Sequence, residues 1–260
     1  MSEPVETLVR SDAPSLAYVR HVGAADKVGC VWLGGFHSEM AGTKARHFEA
    51  WARADTRSYL RFDYRGHGCS GGEFASGTVS QWRQDVLDVI DDLTAGPQIL
   101  IGSSMGGWLA LLAALARAER IAGLVLIAPA VDFTQRLILP RLSDSARQAI
   151  DTQGQWLRPS AYGDGPYPIT RQLLEDGAQW SLLPGPIPID IPVLIVQGGA
   201  DPDVPADHVE QLMPALVSGD VDYVLRKSGD HRLSTPADLD WLALLASGFS
   251  RRVDALSNMR

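Results

Sequence analysis

The stretch Gln98-Ile99-Leu100-Ile101-Gly102-Ser103-Ser104-Met105-Gly106-Gly107-Trp108 decides how the rest of the chain is read. Residues 98–101 form an apolar run of the length of a buried strand, and residues 105–117 are apolar nearly all round, as in a helix enclosed by its neighbours. Between them, Gly102-Ser103-Ser104-Met105-Gly106 fits G-x-S-x-G. In that turn small residues let a strand double back sharply into a helix, so that the central serine hydroxyl projects from the end of the sheet. The helix N-terminus favours negative charge developing there. Ser104 is therefore the candidate nucleophile. The competing reading makes Ser104, or Ser103 beside it, a plain helix cap in a small-residue turn. The same stretch lies within residues 93–116, which are 24 residues without a charge and long enough to span a bilayer. The glycines and serines at its centre, and Pro97 near its start, argue against a membrane span.

Moving outward, Val28-Gly29-Cys30-Val31-Trp32-Leu33 ends in Gly34-Gly35, and Tyr59-Leu60-Arg61-Phe62-Asp63 ends in Arg65-Gly66-His67-Gly68. Both read as strands followed by tight turns. From Thr78 the period changes, with Val79, Trp82, Val86, Ile90 and Leu93 at helical steps and Thr78 and Gln81 spaced as a capping box. Residues 124–127, 193–196 and 221–225 read as further strands. Residues 207–216 and 237–249 read as helices, the second opened by Thr235, Pro236 and Asp238. Apolar strands alternating with amphipathic helices imply an α/β fold with a mostly parallel sheet covered on both faces. Residues 129–188 break the alternation, since they hold 8 of the 16 prolines. They read as a cap inserted over the sheet's edge, with helices near 143–150 and 170–180. The core is then 1–128 and 189–260, and the whole is one domain.

Composition narrows the function. The 260 residues carry 31 acidic against 23 basic side chains, a net charge of −8, with no Lys/Arg-rich run. That leaves no electrostatic footprint for nucleic acid or an anionic membrane. Two cysteines, Cys30 and Cys69, cannot supply a disulfide framework. The start, Met1-Ser2-Glu3-Pro4-Val5-Glu6, is acidic where a secretory signal is basic, and no apolar segment follows. A cytoplasmic location is the expectation.

A serine hydroxyl is a weak nucleophile until a base takes its proton and a third group orients that base. In the chain order Ser, acid, His, the acid falls in Val196-Gln197-Gly198-Gly199-Ala200-Asp201-Pro202-Asp203 and the base in Lys227-Ser228-Gly229-Asp230-His231-Arg232, each just beyond a strand. Asp201 and His231 are the candidates, with Asp203 and Asp132 as rival acids. His208, inside a predicted helix, and His21 read as solvated surface groups, and His67 as a loop brace. The oxyanion needs two backbone N–H donors, one from the residue after the nucleophile and one from the turn after an early strand. Those fall at Met105 and Phe36. No spacing resembles a metal site or a phosphate-binding loop, and no cofactor is implied. Apolar residues of the insertion, among them Phe133, Leu137, Ile138, Leu139 and Trp156, are candidates for an acyl pocket or for the insertion's own core.

With these motifs in order, the chain resembles the α/β-hydrolase superfamily over almost its whole length. Gly34-Gly35-Phe36-His37-Ser38-Glu39-Met40, Arg61-Phe62-Asp63-Tyr64, Trp82-Arg83-Gln84-Asp85-Val86 and residues 96–108 look like the small hydrolases related to a mitochondrial palmitoyl-protein thioesterase that also cleaves acyl glucuronides. The resemblance implies Ser104, Asp201 and His231 as a triad, Phe36 and Met105 as oxyanion donors, and a small acyl ester or S-acylated substrate. The chain lacks an Arg-rich transit segment, and residues 129–188 match least clearly. The expected activity is serine hydrolysis of esters or thioesters through an acyl-enzyme. Carbon–carbon bond hydrolysis, cofactor-free perhydrolysis and non-catalytic ligand binding on the same fold are the alternatives. Serine at 104 counts against haloalkane dehalogenases and epoxide hydrolases, whose elbows carry a carboxylate.

Overall fold

Strands buried along their whole length dictate the centre of the molecule. A computed structural model describes residues 4–159 and 165–259. The first three residues of the acidic start, and 160–164 of the proline-rich stretch, lie outside the described residues. In chain order the elements are β1 (Glu6–Leu8), β2 (Leu16–His21), β3 (Gly29–Leu33), α1 (Thr43–Ala54), β4 (Tyr59–Phe62), α2 (Val79–Leu93), β5 (Gln98–Ser103), α3 (Met105–Ala116) and β6 (Ile121–Ile127). There follow α4 (Asp144–Gln153), β7 (Gln155–Arg158), β8 (Tyr167–Thr170), α5 (Arg171–Ala178), β9 (Val193–Gly198), α6 (Ala206–Glu210), α7 (Leu212–Ala215), β10 (Val221–Arg226) and α8 (Pro236–Ser257).

Eight strands form one sheet in the order β1-β2-β4-β3-β5-β6-β9-β10. The β1–β2 and β2–β4 pairs are antiparallel, and every later pair is parallel. Side chains alternate across a strand, and here they sort into two cores. Val31, Leu33, Leu100, Leu124, Leu126 and Ile195 face the cluster built with α2 and α3. Cys30, Trp32, Ile99, Ile101, Val125 and Val196 face the one built with Phe48 of α1 and Leu242 and Phe249 of α8. The expected α/β layout, with both faces of the sheet covered, is what the chain adopts.

Several elements depart from expectation. β1, β2, α1 and the β7–β8 pair carry no signal strong enough to be read in advance. The helix expected over 207–216 is broken at Gln211 into α6 and α7, and α8 runs on to Ser257. Thr78 caps α2 by accepting the Gln81 N–H at 3.3 Å, but the Gln81 side chain does not return the bond: its Oε1 has no partner among the described residues. The uncharged run 93–116 is divided between the end of α2, β5 and α3, and no helix among the described residues is long and apolar enough to cross a membrane.

Residues 129–188 leave the sheet after β6 and rejoin it before β9. The Asp132 carboxylate ties the two ends of this excursion by accepting the Leu182 and Leu183 N–H groups at 2.9 Å each. Asp176 of α5 bonds Ser80 of α2 through both its N–H and its hydroxyl, and Trp180 Nε1 donates to the same hydroxyl at 2.7 Å.

Backbones pack closely at the β5–α3 turn, where a Cβ on Gly106 would stand 2.1 Å from the Leu33 carbonyl oxygen and 2.6 Å from that of Gly34. Gly106→Ala is expected to cost about 1–3 kcal/mol by overpacking, measured as a fall in the urea midpoint. Gly248, exposed in α8 with open space around it, provides the contrast. Gly248→Ala should raise stability by up to about 1 kcal/mol through helix propensity.

Candidate functional site

Ser104 sits at the turn with φ 55° and ψ −119°, a left-handed conformation unusual for a residue with a side chain. Three hydrogen bonds hold it there. Its N–H donates to the Ile127 carbonyl at 2.9 Å, and its own carbonyl accepts from Gly107 (2.9 Å) and Ala130 (3.0 Å). The turn is thereby fastened to the end of β6, and the hydroxyl is left to face the His231 loop.

Parallel pairing of β9 with β10, in register from Val193↔Val221 to Gly198↔Arg226, ends both strands at one level. The two following loops therefore meet beside the elbow. His231 Nδ1 lies 2.7 Å from Asp201 Oδ2, and His231 Nε2 lies 3.1 Å from Ser104 Oγ. The Asp201 side chain is fully buried. Its Oδ1 accepts the N–H groups of Asp203 and Val204 at 2.9 Å each, and Gln197 Nε2 approaches Oδ2 at 3.3 Å. The structure thus brings Ser104, His231 and Asp201 into one line of contacts. Asp203 contributes its N–H, while its carboxylate lies 3.6 Å from Arg158. Asp132 is engaged elsewhere, at the base of the 129–188 excursion.

Phe36 and Met105 present N–H groups that no other described residue accepts, and both residues border a cavity of about 300 Å³ together with Ser104 and His231. Phe133, Leu137 and Ile138 line the same cavity. Trp156, expected with them, lies elsewhere. It sits in the β7–β8 pair opposite Ile169, half-buried against the larger core, because its strand turns that face inward. Aromatic rings crowd round Phe36: Phe74, Trp82, Phe133 and Tyr167 all have centroids within 5.7 Å of it. Sequence reasoning also missed Lys44, Arg141, Arg158 and Arg232, cations that line the cavity of a net-acidic chain. They come from four separate segments, so no local run of charge announces them. Burial, and Arg232 nearby, push the Lys44 ammonium down to about 8.

Asp201, Asp203 and His231 offer oxygen and nitrogen atoms within 4.8 Å of one another, the separation a metal site needs. His231 and Asp201 bond each other directly, which accounts for that cluster without an ion. Of the other histidines, His21 is half-buried with Nδ1 3.1 Å from Arg53. His208 corrects the expectation of a solvated group: it is buried, with Nε2 2.9 Å from the Val131 carbonyl, because the α6 face that carries it turns toward the segment after β6. His67 braces a loop, as its sequence setting suggested, and is almost fully buried.

A family model described as serine aminopeptidase, S33, matches residues 24–172. The bovine mitochondrial palmitoyl-protein thioesterase ABHD10 is 40% identical over 258 residues, covering 98% of this chain and 82% of the bovine one. A crystal structure of a putative hydrolase from Agrobacterium vitis S4 superposes with TM-score 0.90 at 41% identity, over 95% of this chain and all of that one. Mouse alpha/beta hydrolase domain-containing protein 10 gives TM-score 0.87 at 36% identity, over 99% of this chain and all of that one. The expectation of a cytoplasmic location does not stand. It rested on the absence of export and transit signals, and a full-length relative at 40% identity is named mitochondrial.

Burial pushes the His67 imidazole down to about 4, against a partly offsetting hydrogen bond to the Arg65 carbonyl, with His37 nearby lowering it further. His67 therefore stays neutral in the fold while an unfolded histidine, near 6.5, takes a proton. The native state is favoured fully above pH 6.5, loses ground as pH falls toward 4, and changes no further below that. The loss amounts to roughly 3 kcal/mol for this group. Urea midpoints measured from pH 7 to 4 should fall more steeply for the wild type than for His67→Gln, which has no proton to gain.

Proposed function

The chain belongs to the α/β-hydrolase family of the palmitoyl-protein thioesterase ABHD10, and from that membership we propose that it cleaves carboxylic esters or thioesters through an acyl-enzyme on Ser104. The observation that carries this reading is the unbroken line Ser104 Oγ, His231 Nε2 at 3.1 Å, and His231 Nδ1 to Asp201 Oδ2 at 2.7 Å. His231 takes the hydroxyl proton as Oγ attacks the acyl carbonyl. Asp201 holds the imidazole in the tautomer with hydrogen on Nδ1 and stabilises the imidazolium that forms. The N–H groups of Phe36 and Met105 receive the oxyanion, with the α3 N-terminus adding to the field there. His231 then returns the proton to the departing alcohol or thiol. Water, activated by the same imidazole, releases the acid.

Residues 129–188 act as a cap over a core of 1–128 and 189–260, and Phe133 and Leu137 supply its acyl-binding wall. The cations in the cavity support a substrate that is neutral and apolar on its acyl side and anionic on its leaving group, as an acyl glucuronide is. Arg158 reaches the cavity from β7 in the cap.

Ser104→Ala should lower kcat on p-nitrophenyl esters by about 10,000-fold or more and abolish fluorophosphonate labelling, and Asp201→Asn should cost about 10,000-fold through the wrong tautomer. Retained turnover in Ser104→Ala would sink the mechanism. Parallel turnover of short and long acyl esters, S-acyl peptides and acyl glucuronides ranks the leaving groups. Arg158→Ala should raise KM by roughly two- to fivefold for the anionic leaving group alone, the scale of a partly exposed ion pair. An equal rise for neutral esters would remove the electrostatic assignment.

A further inference from the structure

The loop that presents the Phe36 N–H, residues 34–40, is pinned along its length by β4 and the segment that follows it. Tyr64 Oη donates to the Gly34 carbonyl at 3.2 Å. His67 Nε2 accepts the His37 N–H at 3.3 Å. Asp63 Oδ1 accepts the Met40 N–H at 2.5 Å, and Arg61 Nη1 donates to the Met40 carbonyl at 3.1 Å. Both ends and the middle of the loop are held, by side chains that are all buried. None of the four is among the described residues lining the cavity, so each acts on the site through the loop backbone.

The middle contact lies next to the donor. His37 adopts φ 57°, a left-handed conformation that a residue with a side chain seldom takes unaided. The His37 N–H belongs to the peptide after Phe36, whereas the Phe36 N–H belongs to the Gly35–Phe36 peptide, whose carbonyl accepts the Ser38 N–H at 3.2 Å. The two planes meet at the Phe36 Cα, so holding one limits how the other can rotate. His67 is built as a fixed acceptor for it. Its Nδ1 lies 3.2 Å from the Arg65 carbonyl, which places the hydrogen on Nδ1 and the lone pair on Nε2. Ring contacts with Tyr64, Phe74 and Trp82 hold the imidazole plane.

We propose that His67 is a positioning residue for acyl transfer: by accepting the His37 N–H it fixes the left-handed turn that aims the Phe36 N–H at the oxyanion. This rests on the assignment of Phe36 as a donor above. An oxyanion donor contributes about 100- to 1,000-fold to kcat, and a donor left free to wander loses part of that factor.

The test uses two amides of different reach. Glutamine carries its oxygen about as far from the backbone as histidine Nε2, whereas asparagine's oxygen reaches only the level of Nδ1. His67→Asn should lower kcat on p-nitrophenyl butyrate by about 10- to 100-fold, with KM within about twofold. It should also raise the inhibition constant of an alkyl trifluoromethyl ketone, which forms an oxyanion on the serine, by the same factor as kcat falls. His67→Gln should stay within about threefold of wild type on both measures. If the asparagine variant does not fold, His67→Leu, which keeps the packing volume without an acceptor, takes its place with the same expected losses. Wild-type kcat and ketone affinity in the variants without a reaching acceptor, or equal losses in His67→Gln, overturn the proposal. Those outcomes beside an inactive Ser104→Ala leave the acyl-enzyme reading intact, whereas an active Ser104→Ala removes that reading first.

Discussion

The site depends on one backbone conformation, the left-handed turn at Ser104 between β5 and α3. A residue with a side chain held there stores about 1–3 kcal/mol of strain, and the surrounding structure has to over-determine it. It does so from three directions: the Ile127 carbonyl takes the Ser104 N–H, the Gly107 and Ala130 N–H groups share its carbonyl, and the β3 end packs where Gly106 has no Cβ. A relaxed turn would rotate the hydroxyl out of reach of His231. The two glycines beside Ser104 therefore serve the chemistry by allowing backbones to approach, and the buried apolar strands supply the packing that keeps them there.

The other site residues inherit their positions from the same sheet. β3, β5, β9 and β10 run parallel, so the loops carrying Phe36, Ser104, Asp201 and His231 all leave from one edge. Residues far apart in sequence then meet without any long-range recognition beyond strand order. Asp201 is held more firmly than His231: two N–H groups and Gln197 enclose it, while His231 rests on a short loop between β10 and α8. That division suits the proposed mechanism, in which Asp201 orients the imidazole that carries the proton between Ser104 and the leaving group.

Legibility in the sequence follows the same physics. The parallel strands were readable because burial on both faces makes them continuous apolar runs, and the elbow because its glycines are demanded by geometry. Order and strand ends alone pointed to Ser104, Asp201 and His231, which the fold brings within hydrogen-bonding distance of one another. β2 was not readable, since its apolar Leu16-Ala17-Tyr18-Val19 is cut short by Arg20 and His21 in the antiparallel part of the sheet. α1 buries only Ala45, Phe48 and Ala52 and starts at Gly42 without a side-chain cap, so its stripe is too thin to stand out. The β7–β8 pair carries Pro168 and polar residues, which obscure the alternation. The cavity cations were invisible for another reason. Net charge sums over the surface, whereas Lys44, Arg141, Arg158 and Arg232 converge only after folding.

Histidine shows most directly why residue type alone underdetermines role. His231 and His67 both have one ring nitrogen toward an oxygen acceptor, yet their second partners differ in kind. His231 faces the Ser104 hydroxyl on one side and the buried Asp201 carboxylate on the other. His67 faces a backbone N–H, with a neutral carbonyl on its other side, and burial disfavours its charged form. One imidazole lies between a hydroxyl and a carboxylate, the other between two backbone groups in a setting that disfavours charge. A histidine whose burial disfavours protonation is a rigid acceptor, which suits the positive-φ turn at His37 that it holds.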